Sequence, residues 1–145
     1  MTRQVSITRT IPASAPEIFA LLTDPEKHAI LDGSGTVRGA RGGNPERLEL
    51  GSRFAMDMKL GAKYRITNKV VEFDQDRLIA WRHFNGHRWR WELAPNDDGT
   101  TDVTETFDWA PARIPMLLDR SPIPRKNEAA IRKTLERLAS HFGER

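Results

Sequence analysis

The chain has 145 residues, with 23 Lys and Arg against 20 Asp and Glu, a formal charge of +3 and no cysteine. That length suits one domain, expected over residues 1–145, and it buries roughly two-thirds of its unfolded surface without a staple; the missing thiols exclude a disulfide scaffold, a thiolate zinc site, an iron–sulfur cluster and a cysteine nucleophile. At 38 % hydrophobic and 30 % charged residues the chain is too apolar for disorder, it has no apolar run of the roughly 20 residues that span a membrane, and its basic residues are spread over all segments rather than gathered on a nucleic-acid or membrane face. The opening Met1-Thr2-Arg3-Gln4-Val5-Ser6-Ile7 lacks the apolar core of a secretion signal, so the expected location is the cytoplasm.

Val5, Ile7 and Ile11 alternate with polar residues and predict a half-buried strand that Pro12 ends. Ser14-Ala15-Pro16-Glu17 has the spacing of a capping box and opens a short helix with Ile18, Phe19, Leu21 and Leu22 on its apolar face. Asp24-Pro25-Glu26 opens a second short helix running through Ile30 and Leu31. Gly33 to Gly51 is a glycine-rich loop in which Val37 and Leu48–Leu50 supply short strands. Four alternating segments follow, carrying Phe54, Met56, Met58 and Leu60, then Tyr64, Ile66 and Val70, then Ile79 and Trp81, then Trp89, Trp91 and Leu93. Val103 and Phe107 mark a fifth. One apolar and one charged face per strand predicts an antiparallel sheet with one wet side. Four prolines break the stretch from Pro111 to Pro124, which holds Met116, Leu117 and Leu118 and reads as a cavity rim or a dimer contact. Pro124 to Phe142 predicts a long helix with Ile131, Leu135, Leu138 and Phe142 on one stripe, Ala130 or Thr134 beside them, and Gly143 as its cap.

Asn85-Gly86 marks a hairpin turn. A two-residue loop would put arginines and tryptophans on one face. A three-residue loop, Phe84-Asn85-Gly86, pairs His83 with His87, Trp81 with Trp89 and Ile79 with Trp91, and it separates rings from arginines. It is the register expected, because a slip of one residue scrambles both faces. The separation also argues against a single-strand nucleic-acid platform, which needs rings and cations on the same side. Parity turns Val103, Glu105 and Phe107 inward. With Trp91 opposite Val103, Glu105 would face Trp89 and approach His83 and His87. A lone acid in an apolar row needs a partner or water.

This order of one strand, two short helices, a run of strands and a long last helix resembles the helix-grip fold of the START-like, or SRPBCC, superfamily, and its texture is similar to polyketide cyclase/dehydrase-like members. The resemblance rests on Ile11–Pro25, Leu50–Phe54, Thr67–Asp74, Leu78–His83 and Gly99–Thr106, and it covers essentially the whole chain. It implies an α+β fold: a curved antiparallel sheet of about six or seven strands wrapped around the C-terminal helix, with a cavity between them.

Phe54, Met56, Met58, Tyr64, Ile66, Trp81, Trp89, Trp91, Val103, Phe107 and Thr134 are the expected cavity lining, and methionines there make an adaptable wall. Glu105, His83 and His87 are the candidate acid/base groups. Two histidines and one carboxylate also suit a metal, but the reading adopted is polar lining, with no metal and no cofactor. Gly33-Ser34-Gly35 lacks the Gly-Lys-Ser/Thr ending of a phosphate loop. The expected partner is a hydrophobic or aromatic small molecule, lipid- or polyketide-like, bound by a monomer or homodimer. The alternatives are a cyclase or dehydratase acting on a polyketide-like chain, and a chaperone-activator-like interaction module.

Overall fold

The computed structural model describes residues 2–32, 37–40, 44–60, 62–83 and 85–143. Its elements are β1 (Gln4–Ile11), α1 (Ala15–Leu22), a 3-10 turn (Pro25–Lys27), α2 (His28–Leu31), β2 (Val37–Ala40), β3 (Arg53–Leu60), β4 (Ala62–Asp74), β5 (Leu78–Arg82), β6 (Arg88–Pro95), β7 (Thr101–Asp108), α3 (Pro115–Asp119) and α4 (Ile123–His141). Seven antiparallel strands run in the order β1-β7-β6-β5-β4-β3-β2. This is the α+β helix-grip architecture: α4 packs on β1 and β7, α1 touches β6, and α2 bridges β2 and α4. Of the glycine-rich loop, residues 33–36 and 41–43 lie outside the described set, as does Phe84.

Local chemistry starts the helices. Glu17 N donates to Ser14 Oγ at 3.4 Å, the N-cap bond of α1, and the Ser14 hydroxyl donates to Glu17 Oε1 at 3.1 Å. Asp24 Oδ1 accepts from Glu26 N at 3.0 Å and starts the turn before α2. Ile131, Leu135 and Leu138 are buried on α4 together with Thr134, and Gly143 sits at φ +94° just past the helix end.

The β5–β6 hairpin has the three-residue loop. Trp81 pairs with Trp89, Arg82 with Arg88 and Ile79 with Trp91, while His83 N donates to His87 O at 3.1 Å. Gly86 takes φ +96° at the position that requires it. The arginines of β6 point to the outer face, where Glu72 accepts from Arg90 at 2.9 and 3.2 Å and from Arg88 at 3.2 Å.

Two expectations need correction, and one irregularity is new. Leu48–Leu50 form no strand; Leu48 is buried and its N–H donates to Thr23 O at 2.8 Å, which ties the loop to the end of α1. The β6–β7 pairing sits two residues from the expected one: Trp91 faces Glu105, Trp89 faces Phe107 and Leu93 faces Val103. The cause is a five-residue connection, closed by Asn96 N to Thr100 O at 2.8 Å and turned by Gly99 at φ +86°. A slip of two keeps every side chain on its face, so Val103, Glu105 and Phe107 still point inward. Finally, β4 carries a bulge between Val70 and Glu72, which swings Phe73 inward and Glu72 out to its arginines.

Candidate functional site

The concave face carries two aromatic nests and one buried acid. At the β3–β5 side, Trp81 stacks on the His28 ring with centroids 5.1 Å apart, and Phe54 meets both edge-on at 5.4 Å. Trp81 therefore packs against α2. His28 Nε2–H donates to Leu22 O at 2.9 Å, and burial pulls its pKa below the ordinary value, so the ring stacks as a neutral group.

The second nest is at the hairpin end. Phe107 touches Trp89 at 5.0 Å, His87 at 5.3 Å and Trp109 at 5.6 Å, and His87 stacks on His83 at 5.0 Å. Burial first, then the neighbouring His83, lowers His87 to about 4. Burial also lowers His83. The pair is a neutral stack at physiological pH. His87 Nδ1 is buried without a hydrogen-bond partner among the described residues.

Glu105 stands two residues before Phe107 on β7, directly opposite Ile7 on β1 and Trp91 on β6. It is 6 % exposed, and its Oε2 is buried with no hydrogen-bond partner among the described residues. Burial pushes its pKa well above the usual carboxylate range, and the charge of Asp32, at the end of α2, adds to the effect. The corrected register moves Glu105 away from His83 and His87: its row lies four residues from His87 along β6, roughly 13 Å at strand rise. The expected three-residue cluster is therefore two separate features, a stacked histidine pair whose pKa values burial lowers and a buried acid whose pKa burial raises. No group of three His, Asp or Glu side chains among the described residues is placed to share a metal ion.

The rest of the expected lining is distributed unevenly. Phe54, Met56, Trp91, Val103, Phe107 and Thr134 are buried, and Ile66, Trp81 and Trp89 are partly so. Tyr64 is 43 % exposed at the far end of β4. The Met58 side chain lies outside the described set. Neither His28 nor Asp32 is among the site residues expected from the sequence. No spacing links α2 to the middle of the sheet, so only the tertiary fold brings them to it. The outer face has a shallow groove lined by residues such as Thr8, Glu72, Arg90 and Thr104; Glu72 and Arg90 are already committed to each other, which leaves that groove little free binding chemistry.

The comparisons agree with this architecture. The chain is 39 % identical, over 94 % of its length, to an uncharacterised Mycobacterium tuberculosis protein, and it spans 63 % of that relative's length. Among solved structures, a Chromobacterium violaceum protein superposes with TM-score 0.75 at 18 % identity, with 100 % of each chain covered. An AHSA1-like protein from Aeromonas hydrophila superposes with TM-score 0.71 at 19 % identity, over 95 % of this chain and 90 % of that one. At those identities the structures speak for the fold alone. A family model described as polyketide cyclase / dehydrase and lipid transport matches residues 2–143, and the chain belongs to that family.

Proposed function

We propose that the chain binds a hydrophobic, aromatic-bearing small molecule, lipid- or polyketide-like, between the concave face of the sheet and its helices, and that protonated Glu105 donates a hydrogen bond to an oxygen of that ligand. The observation that carries this is the buried Oε2 of Glu105, which has no hydrogen-bond partner among the described residues and faces Trp91. An unmade hydrogen bond at a buried polar atom is costly, and sites that use acids keep them in such surroundings. The rings supply apolar area. One acid supplies orientation, the usual division of labour in a small-molecule pocket.

The test is a titration followed by tryptophan fluorescence, with acetylnaphthalene and its hydrocarbon counterpart ethylnaphthalene as probes. Wild type should prefer the ketone. Glu105→Leu should lose that preference, with roughly 10-fold weaker ketone binding and unchanged hydrocarbon binding. Equal ketone affinity in the two proteins would remove Glu105 from the site. Native mass spectrometry of protein purified from its own host would identify a retained ligand.

A second reading, a cyclase or dehydratase, draws on the same protonated acid, because a group that holds a proton at neutral pH can deliver it. Glu105→Gln separates the two. The amide still donates a hydrogen bond but transfers no proton, so a carrier keeps most of its affinity while an enzyme loses turnover.

A further inference from the structure

We propose that α3 and the first turn of α4 form a docking surface for an anionic lipid bilayer. This inference is independent of what the interior binds.

Six large hydrophobic side chains are exposed among the described residues, and four of them fall within ten positions of one another. These are Ile114 at 53 %, Met116 at 64 %, Leu117 at 66 % and Ile123 at 42 %. Exposed apolar residues gathered in this way usually mark an interaction site.

The exposure belongs to a fixed element. Asp119, the last residue of α3, accepts from Arg3 Nε and Nη2 at 3.1 and 3.0 Å and from Trp109 Nε1 at 2.7 Å. Trp109 is buried, and Leu118 packs against the core. Upstream, Arg113 N donates to Asn85 O at 2.9 Å, which fastens the segment to the hairpin tip. The side of α3 carrying Leu118 and Asp119 is thus held inward, and Met116 and Leu117 are presented outward.

The charge of the same segment selects the occupant. Residues 113–126 contain Arg113, Arg120, Arg125 and Lys126 against the single acid Asp119, a formal +3. That equals the net charge of the entire chain, so the other residues balance to zero. All four cations are exposed, and none forms an ion pair among the described residues, whereas Asp119 is neutralised by Arg3. The even spread of basic residues noted from composition therefore hides a local excess.

Exposed aliphatic side chains in a segment that also carries four exposed cations match an anionic bilayer: the apolar tips enter the headgroup boundary while Arg and Lys attract the lipid charge. A second copy of the chain fits less well, since a two-fold contact would bring two segments of formal charge +3 together. A peptide would need a groove to receive it, and these side chains stand out from the surface instead.

The experiment is flotation of the full chain with vesicles of phosphatidylcholine alone and of phosphatidylcholine with one-quarter phosphatidylglycerol. Wild type should bind the anionic vesicles at least tenfold more tightly than the neutral ones and leave them in high salt. Met116→Ser with Leu117→Ser, and separately Arg125→Glu with Lys126→Glu, should each weaken that binding tenfold or more, with the melting temperature unchanged. Glu105→Leu should float as wild type does, so failure of the interior reading cannot be mistaken for failure here. Equal binding to the two vesicle types, or wild-type binding by the charge-reversed variant, would overturn the proposal. So would a wild-type dimer in solution that Met116→Ser with Leu117→Ser makes monomeric and that ignores vesicles.

Discussion

Glu105 and His87 sit on the same face of the sheet, and burial moves both toward neutrality, one by holding a proton and the other by losing it. Their effects on stability have opposite signs. Folded Glu105 keeps a proton that the unfolded chain gives up above about 4.5, so the native state binds more protons and stability falls as pH rises beyond that value. Glu105→Gln removes the dependence. It is expected to stabilise the protein at neutral pH by about 1–3 kcal/mol, with the gap over wild type widening from pH 5 to pH 8 in urea unfolding. His87 titrates near 4 in the fold against 6.5 in the open chain. The unfolded state then binds more protons between those values, and stability falls as pH drops through that window. His87→Gln should flatten this acid limb, and an imidazole titration by NMR that places His87 near 6.5 would refute the stacked neutral pair.

At the scale of single elements, the hairpin shows how far alternation reads. Asn85-Gly86 and the Trp/Arg alternation on both sides left one register that keeps rings and charges apart, and β5–β6 has it. The next connection carried no such constraint. Pro95-Asn96-Asp97-Asp98-Gly99 announces a turn without its length, and the pairing moved by two residues, which the parity argument cannot detect. The β4 bulge lay in the doubled Val70-Val71, where alternation pauses, and Glu72 was missed for that reason. Gly86 also has a packing role: a Cβ there would meet Pro111 O at 2.5 Å. Gly86→Ala should therefore cost roughly 1–3 kcal/mol from backbone strain alone and loosen the hairpin from the segment leading to α3, read as lower melting temperature and faster amide exchange at Arg113. On α4, Leu135 is 1 % exposed, so Leu135→Ala should cost about 2–5 kcal/mol in chemical denaturation; a cost near zero would mean the stripe does not face the sheet.

For the whole molecule, element order and hydrophobic period were enough to suggest the architecture, because each strand had one face that only a shared interior could cover. The site was less legible. Glu105 was visible as an acid in an apolar row, but its neighbour Asp32 and the ring of His28 arrive through α2 from more than seventy residues upstream, a distance at which local pattern carries no information. The clustering of net charge on residues 113–126 was likewise hidden in an average.

The pairing of β1 with β7 reaches further than the finished structure. Gln4 lies beside Asp108 and Ile11 beside Thr101, and α4, which covers β1, comes later still. Among the seven strands of this sheet, β1 is thus made first and its partner β7 last. Closing so long a loop costs entropy before any contact rewards it. Until then the Val5, Ile7 and Ile11 side chains of β1 are uncovered and both of its backbone edges are open to strand-to-strand association, and one edge stays open in the finished sheet. Its other residues, Gln4, Ser6, Thr8, Arg9 and Thr10, are all polar. They keep a waiting strand soluble, and later four of them lie opposite Asp108, Thr106, Thr104 and Asp102 on the outer face.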